Sequence, residues 1–291
     1  MQTRPLGSTG LQVGAIGLGA MPLSLRPSRP SEDDALGVIH HAIASGINLI
    51  DTADAYCIDD TETGHNERLI GKALSQLPPH ERDKLVVATK GGLVRPGGRW
   101  VRNGRPDHLR AACEHSLQCL GVEAITLYQY HAPDPKVPLA ESIGELKKLQ
   151  DEGKIRHIGV SNFATDQLEK ARRIASVVSI QNEYSPSCRD PELDGTLAES
   201  QALRLAFLPW SPLGGMDSAK ALGDGDAVIE HLARRHRASP QRLALAWLLS
   251  KGPMVIPIPG ASRRESIDDS IHAADLILSV DELAELDRCW A

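Results

Sequence analysis

Four residues of different chemical type stand at the ends of short apolar runs: Asp51 and Tyr56 beyond INLI, Lys90 after LVVAT, and His131 after LYQY. Together they make a coherent proton-transfer device. A phenol with a pKa of about 10 is a poor acid at neutral pH, but a neighbouring ammonium stabilises its conjugate base and lowers that value. Lys90 can supply the charge and Asp51 can hold Lys90 in place and protonated. The His131 imidazole can offer a hydrogen bond to a carbonyl oxygen. Plainer roles stand beside these: an Asp at a strand end caps a turn, a loop Tyr packs on a surface, and a strand-end Lys sits in solvent. What decides between them is whether the chain brings all four to one place.

Eight short apolar or β-branched runs can serve as strands, at 13–19, 47–53, 84–90, 124–131, 155–162, 177–182, 204–210 and 254–260. Between them lie amphipathic stretches such as SEDDALGVIHHAIASG and PDHLRAACEHSLQCLG, opened by Ser or Pro and closed by Gly. Uninterrupted apolar strands alternating with helices indicate a parallel sheet covered on both faces. Eight βα units of about 35 residues fill the chain as an α/β protein, a (β/α)8 TIM barrel. An open dinucleotide-binding sheet fails at its own signature, because GLGAMP (17–22) carries Pro where the third Gly of GxGxxG belongs. The opening RPLGSTGLQV has turn residues between apolar ones and predicts a short N-terminal β-hairpin. No linker or composition shift divides residues 1–291, which are expected to form one barrel domain. In such a barrel the chemistry collects at the C-terminal strand ends, where all four residues fall.

The chain is 41% hydrophobic and 24% charged, enough for a large core. A formal net charge of -6 and the absence of a basic stripe argue against nucleic acid as a partner. No run approaches the roughly 20 apolar residues of a membrane span, and MQTRPLGSTG lacks the apolar core of a secretory leader. Five cysteines without a CxxC pair fit a reducing compartment, so a cytoplasmic protein without membrane partners is expected. The eleven histidines form no HExxH or comparable ligand set, and no metal is expected. The oligomeric state is not encoded in any of these features; a monomer is the working expectation.

Further motifs extend the pattern: INLIDTADAY, GHNERLIGKAL, VVATKGG, LYQYHAPDP, GKIRHIGVSNF, IQNEYSP, LPWSPLGG and VIPIPGAS. On these the chain resembles the aldo-keto reductases over essentially its full length. The resemblance implies NAD(P)H-dependent reduction of a small aldehyde or ketone, with Tyr56 as general acid, Lys90 and Asp51 tuning it, and His131 orienting the carbonyl. It further implies that Ser161, Asn162 and Gln181 bind the nicotinamide carboxamide and that Trp210 stacks on the ring. Ser211, Pro212, Leu213 and Gly214 would run along the pyrophosphate, and Gly19, Ala20 and Met21 would line the nicotinamide side. At the adenosine end Gly260 and Ser266 replace the Lys and Arg of many family members. Ser262, Arg263 and Arg264 would then take the 2'-phosphate, with Asp269 and Ser270 on adenine, which favours NADPH over NADH. IQNEY and WSPLGG resemble the bacterial branch that includes pyridoxal reductases, making pyridoxal a candidate substrate. Cys57, Ile58 and Trp100 are candidates to face the substrate. Arg95, Arg99 and Arg102 either attract an anionic substrate or are solvated loop residues. A nucleotide-binding regulatory protein similar to potassium-channel beta subunits is the alternative.

Overall fold

A computed structural model describes residues 2–290. Strands β1 (Thr3–Pro5) and β2 (Gln12–Gly14) form the expected antiparallel hairpin. The barrel strands are β3 (Leu18–Gly19), β4 (Leu49–Asp51) and β5 (Val86–Gly91), followed by β8 (Ile125–Tyr130), β9 (Ile155–Ser161), β10 (Val177–Gln181) and β11 (Ala206–Phe207). They lie side by side in that order, all parallel, as in a (β/α)8 barrel. Strands β6 (Leu93–Val94) and β7 (Val101–Arg102) form a separate antiparallel pair in the loop after β5.

The first and eighth expected strands differ from the sequence reading for physical reasons. The run 13–19 changes partner midway: its start pairs with the hairpin, and only Leu18 and Gly19 join β4. The run 254–260 forms no regular strand because Pro257 and Pro259 have no N–H to give to a ladder. Their carbonyls instead accept from the N–H groups of Gly17 and Gly19, while Ile256 and Ile258 donate to Phe207 and Pro209 on the other side. Isolated bridges Phe207 to Val255 and Gly19 to Gly260 complete the seam and close the barrel.

Period-two alternation sorts the strand side chains. Ile50, Val87, Tyr128, Tyr130, Ile158 and Val160 join the helices in a large outer cluster. Leu49, Val86, Ala88, Leu127, Val178 and Ile258 fill the interior together with Leu6 and Val13, contributed by the hairpin. Continuing that inward parity toward the C-terminal ends yields Asp51, Lys90, Gln129 and His131. One inward residue needs a correction to the parity. Val178 points inward, so an unbroken β10 would aim Gln181 outward; a register shift between Val177 and Ser179 reverses the phase and turns Gln181 in.

At the closing seam the backbones approach closely. A Cβ on Gly19 would lie 2.6 Å from the Ile258 carbonyl oxygen. Gly19→Ala is therefore expected to destabilise the fold by about 1–3 kcal/mol through overpacking against backbone. This should appear as a fall of several degrees in Tm by calorimetry; an unchanged Tm would mean the seam is looser than described.

Candidate active site

Lys90 is fully buried at the end of β5. Its Nζ donates to Asp51 Oδ1 (2.5 Å), to the Thr52 carbonyl (2.9 Å) and to Tyr56 Oη (2.9 Å). An ammonium has three donors, and all three are engaged. Tyr56 Oη therefore accepts from Lys90 and keeps its own hydrogen for another partner. On the far side, Asp51 Oδ2 accepts from the side-chain amides of Gln181 (2.8 Å) and Gln129 (3.2 Å). An ionised carboxylate is acceptor-only, so both amides must turn their NH2 groups toward Asp51. The Gln181 carbonyl oxygen is thereby left to the opposite side. The Gln129 side chain fits above Gly159, where a Cβ would come within 2.9 Å of its Cγ.

His131 follows β8 and is clamped through its backbone: its N–H donates to the Gly91 carbonyl, and its carbonyl accepts from Asn162 Nδ2. Its ring packs edge-on against Tyr56 and Trp100, with centroids 5.9 and 6.2 Å away. Nδ1 is buried without a partner. A proton there would be an orphaned N–H, the costlier kind of unpaired group, so the tautomer protonated on Nε2 is preferred. Burial, reinforced by the charge of Lys90, pushes the imidazole well below its usual pKa and keeps it neutral.

The electrostatics correct one sequence expectation. Burial is the largest influence on the Tyr56 hydroxyl and raises its pKa; Lys90 lowers it, Asp51 and Asp54 add to the rise, and the net shift is upward. The resting phenol is thus protonated throughout the neutral range, with Lys90 opposing the shift without reversing it. Burial works against the charge on Lys90 too, but Asp51 and Tyr56 outweigh it and hold the amine above its ordinary value. The arrangement is a neutral donor hydroxyl backed by a fixed cation.

Tyr56 and His131 open onto a cleft of about 360 Å3. Gly19, Met21, Asp51, Trp100, Ser161, Asn162, Gln181, Trp210, Ser211, Pro212 and Leu213 also line it. Residues 15–291 match the family described as the Aldo/keto reductase family. The chain belongs to that family. It is 36% identical to a probable aldo-keto reductase 1 of Glycine max over 98% of this chain and 88% of the relative. Among solved structures, the glycerol dehydrogenase AKR11B4 of Gluconobacter oxydans superposes with a TM-score of 0.84 at 30% identity, covering 98% of this chain and 94% of that one. An aldo/keto reductase of Klebsiella pneumoniae, solved in complex with NADP and acetate, gives 0.84 at 27% identity, covering 100% and 96%. The protein is thus an oxidoreductase of the aldo-keto reductase class, and no helix among its described residues is long and apolar enough to cross a membrane.

The remaining site residues of this aldo-keto reductase differ in burial and in their partners. Ala20 is buried behind the cleft, its N–H on the Asp51 carbonyl. Gly214 leaves the lining to Gly215, and Cys57 is fully buried without lining the cleft. Asn162 adopts φ 59° and satisfies its amide within the protein, donating to His131 and Ser161 and accepting from Trp210 Nε1. At the adenosine end Ser262, Arg263 and Arg264 are exposed where the helix Arg264–Ile271 begins. Asp269 and Ser270 are engaged elsewhere: Asp269 accepts from Arg242 and Ser239, and Ser270 donates to the Ser266 carbonyl.

Arg95 stacks its guanidinium over Trp100, 4.0 Å from the ring centroid, and donates to the Ile58 carbonyl. Residues absent from the sequence reading complete the site. Leu25, Leu93 and Met216 add apolar wall. Asn66 ties the loop after β3 to that after β4, donating to Ala20 and accepting from Thr52. Gln129 could have been found from the parity Leu127, Gln129, His131; the wall residues carried no such signal.

Proposed function

We propose that this reductase converts a small, uncharged aldehyde or ketone to its alcohol with NADPH, Tyr56 giving up the proton. The observation that carries this is the triple engagement of Lys90 Nζ, which leaves the Tyr56 hydrogen free at the cleft. When bound, NADPH supplies hydride to the carbonyl carbon. His131 Nε2–H and the Tyr56 hydroxyl converge on the oxygen, which gains negative charge as the reaction proceeds. Tyr56 then transfers its proton, and Lys90, already hydrogen-bonded to Oη, stabilises the phenolate left behind.

The lining suits a nicotinamide dinucleotide. The Gln181 carbonyl oxygen, turned away from Asp51, complements a carboxamide NH2, and the Ser161 hydroxyl retains its own hydrogen to donate. Trp210 offers a ring face, held by its bond to Asn162. Ser211, Pro212 and Leu213 would follow the pyrophosphate. Ser262, Arg263 and Arg264 would take the 2'-phosphate, and the Klebsiella relative's complex with NADP supports that preference. At the substrate end Trp100, Leu93, Leu25 and Met216 favour an apolar substituent. Arg95 is stacked on Trp100 and gives one donor to the Ile58 carbonyl. Pyridoxal is one uncharged candidate.

An absorbance screen of neutral and anionic carbonyl compounds, pyridoxal included, tests the proposal. Turnover is expected with neutral carbonyls, with kcat/KM at least about tenfold higher for NADPH than NADH, as the loss of charge-assisted phosphate bonds implies. Absence of turnover with every carbonyl and either dinucleotide would overturn it.

A further inference from the structure

We propose that Glu67, His115 and Cys119 form a binding site for a borderline-soft divalent cation, best matched by Zn2+, on the seam between the helices His65–Ser75 and Pro106–Leu120. His115 and Cys119 stand four residues apart on one helix and so share a face. The Cys119 Sγ lies 3.5 Å from His115 Nε2 and 3.8 Å from Nδ1. A carboxylate oxygen of Glu67, a His115 nitrogen and Sγ all lie within 4.8 Å of one another, the only such group among the described residues. Zinc bonds of about 2.0–2.3 Å in a tetrahedron separate ligand atoms by roughly 3.3–3.8 Å. Shifts of about 1 Å by the partly exposed His115 and Cys119 side chains are therefore enough to close the site.

A second observation points to a ligand. Glu67 is fully buried; Oε1 accepts from Thr89 Oγ1, while Oε2 and the nearby Ser116 hydroxyl both lack a hydrogen bond of good geometry. An unpartnered carboxylate oxygen in the interior is unfavourable and calls for a missing counterpart, which a cation beside it would supply. The local packing also depends on Gly64, whose conformation is left-handed and where a Cβ would lie 2.7 Å from both Cys119 Sγ and His115 Cε1. Arg68 Nη1 lies 3.7 Å from Sγ but also bonds the Thr63 carbonyl, so it can stay there while the metal takes the thiolate. Thiolate, imidazole and carboxylate together select zinc over magnesium or calcium, and three protein donors leave a fourth position for water. Such an ion would join the two helices next to Thr89, the residue before Lys90. No single sequence motif reveals the site, because Glu67 comes from a different helix.

The test uses untagged full-length protein, stripped with chelator and titrated with ZnCl2 by calorimetry and with CoCl2 by absorbance. One equivalent per chain, a thiolate-to-cobalt charge-transfer band and a Tm that rises with zinc concentration are expected. Loss of an outer partner of a metal ligand already lowers affinity about 10–100-fold, so Cys119→Ala and His115→Ala should each weaken binding by roughly 100-fold or more. Cys119→Ala should also abolish the band, with circular dichroism verifying the fold. No saturable binding by the wild type would overturn the proposal, as would affinity unchanged in both variants. These readouts do not depend on reductase activity.

Discussion

Replacing Tyr56 by Phe is expected to lower turnover by about 10²–10⁴-fold, the range assigned to a positioned general acid. The substitution removes one hydroxyl and leaves the ring, which packs edge-on to Trp100 and His131. Dinucleotide affinity should stay within about twofold, because the proposed cofactor contacts lie on Gln181, Trp210 and the loops beyond. Lys90 loses one of three acceptors, so a modest stability loss of about 1–2 kcal/mol accompanies the change. Steady-state kcat from NADPH absorbance, with Kd from quenching of tryptophan fluorescence, separates these effects. Turnover equal to wild type would remove Tyr56 from the mechanism.

Lys90→Met should affect stability and chemistry together. Methionine fills a similar volume but leaves Asp51 buried without its cation, and breaking one side of a buried pair typically costs about 3–5 kcal/mol. For a chain of this size that amounts to a Tm decrease on the order of 10 °C. In the same variant the developing phenolate loses a charge-assisted hydrogen bond worth about 1.5–3 kcal/mol, so kcat should fall roughly 10- to 100-fold even where the protein is folded. A variant that unfolds early yet turns over normally at low temperature would assign Lys90 a structural role only.

The barrel and the meeting of its four candidate residues were legible because both depend on local pattern: apolar runs separated by helical period, with ionisable residues at the run ends. Gln129 was equally legible by parity, yet inside LYQY it read as one more strand residue. The aim of Gln181 was not legible, since it depends on a register shift that no alternation announces. The eighth strand looked regular in MVIPIPG, but the alternation of its prolines lets it donate to one neighbour only, through Ile256 and Ile258. The sign of the Tyr56 shift depends on burial, a property of the assembled barrel that spacing does not carry. The pairing of Asp269 was hidden for a related reason: its partner Arg242 lies on another helix.

The central claim is that Lys90 acts electrostatically on a protonated Tyr56. The chain has four tyrosines, so 13Cζ-tyrosine NMR gives a spectrum in which loss of one signal in Tyr56→Phe makes the assignment. The Tyr56 resonance is expected to stay at the phenol position through about pH 9, and its titration should move to still higher pH in Lys90→Met, because the amine is the group that lowers it. A phenolate signal at neutral pH, or a titration unmoved by loss of the amine, would contradict the account.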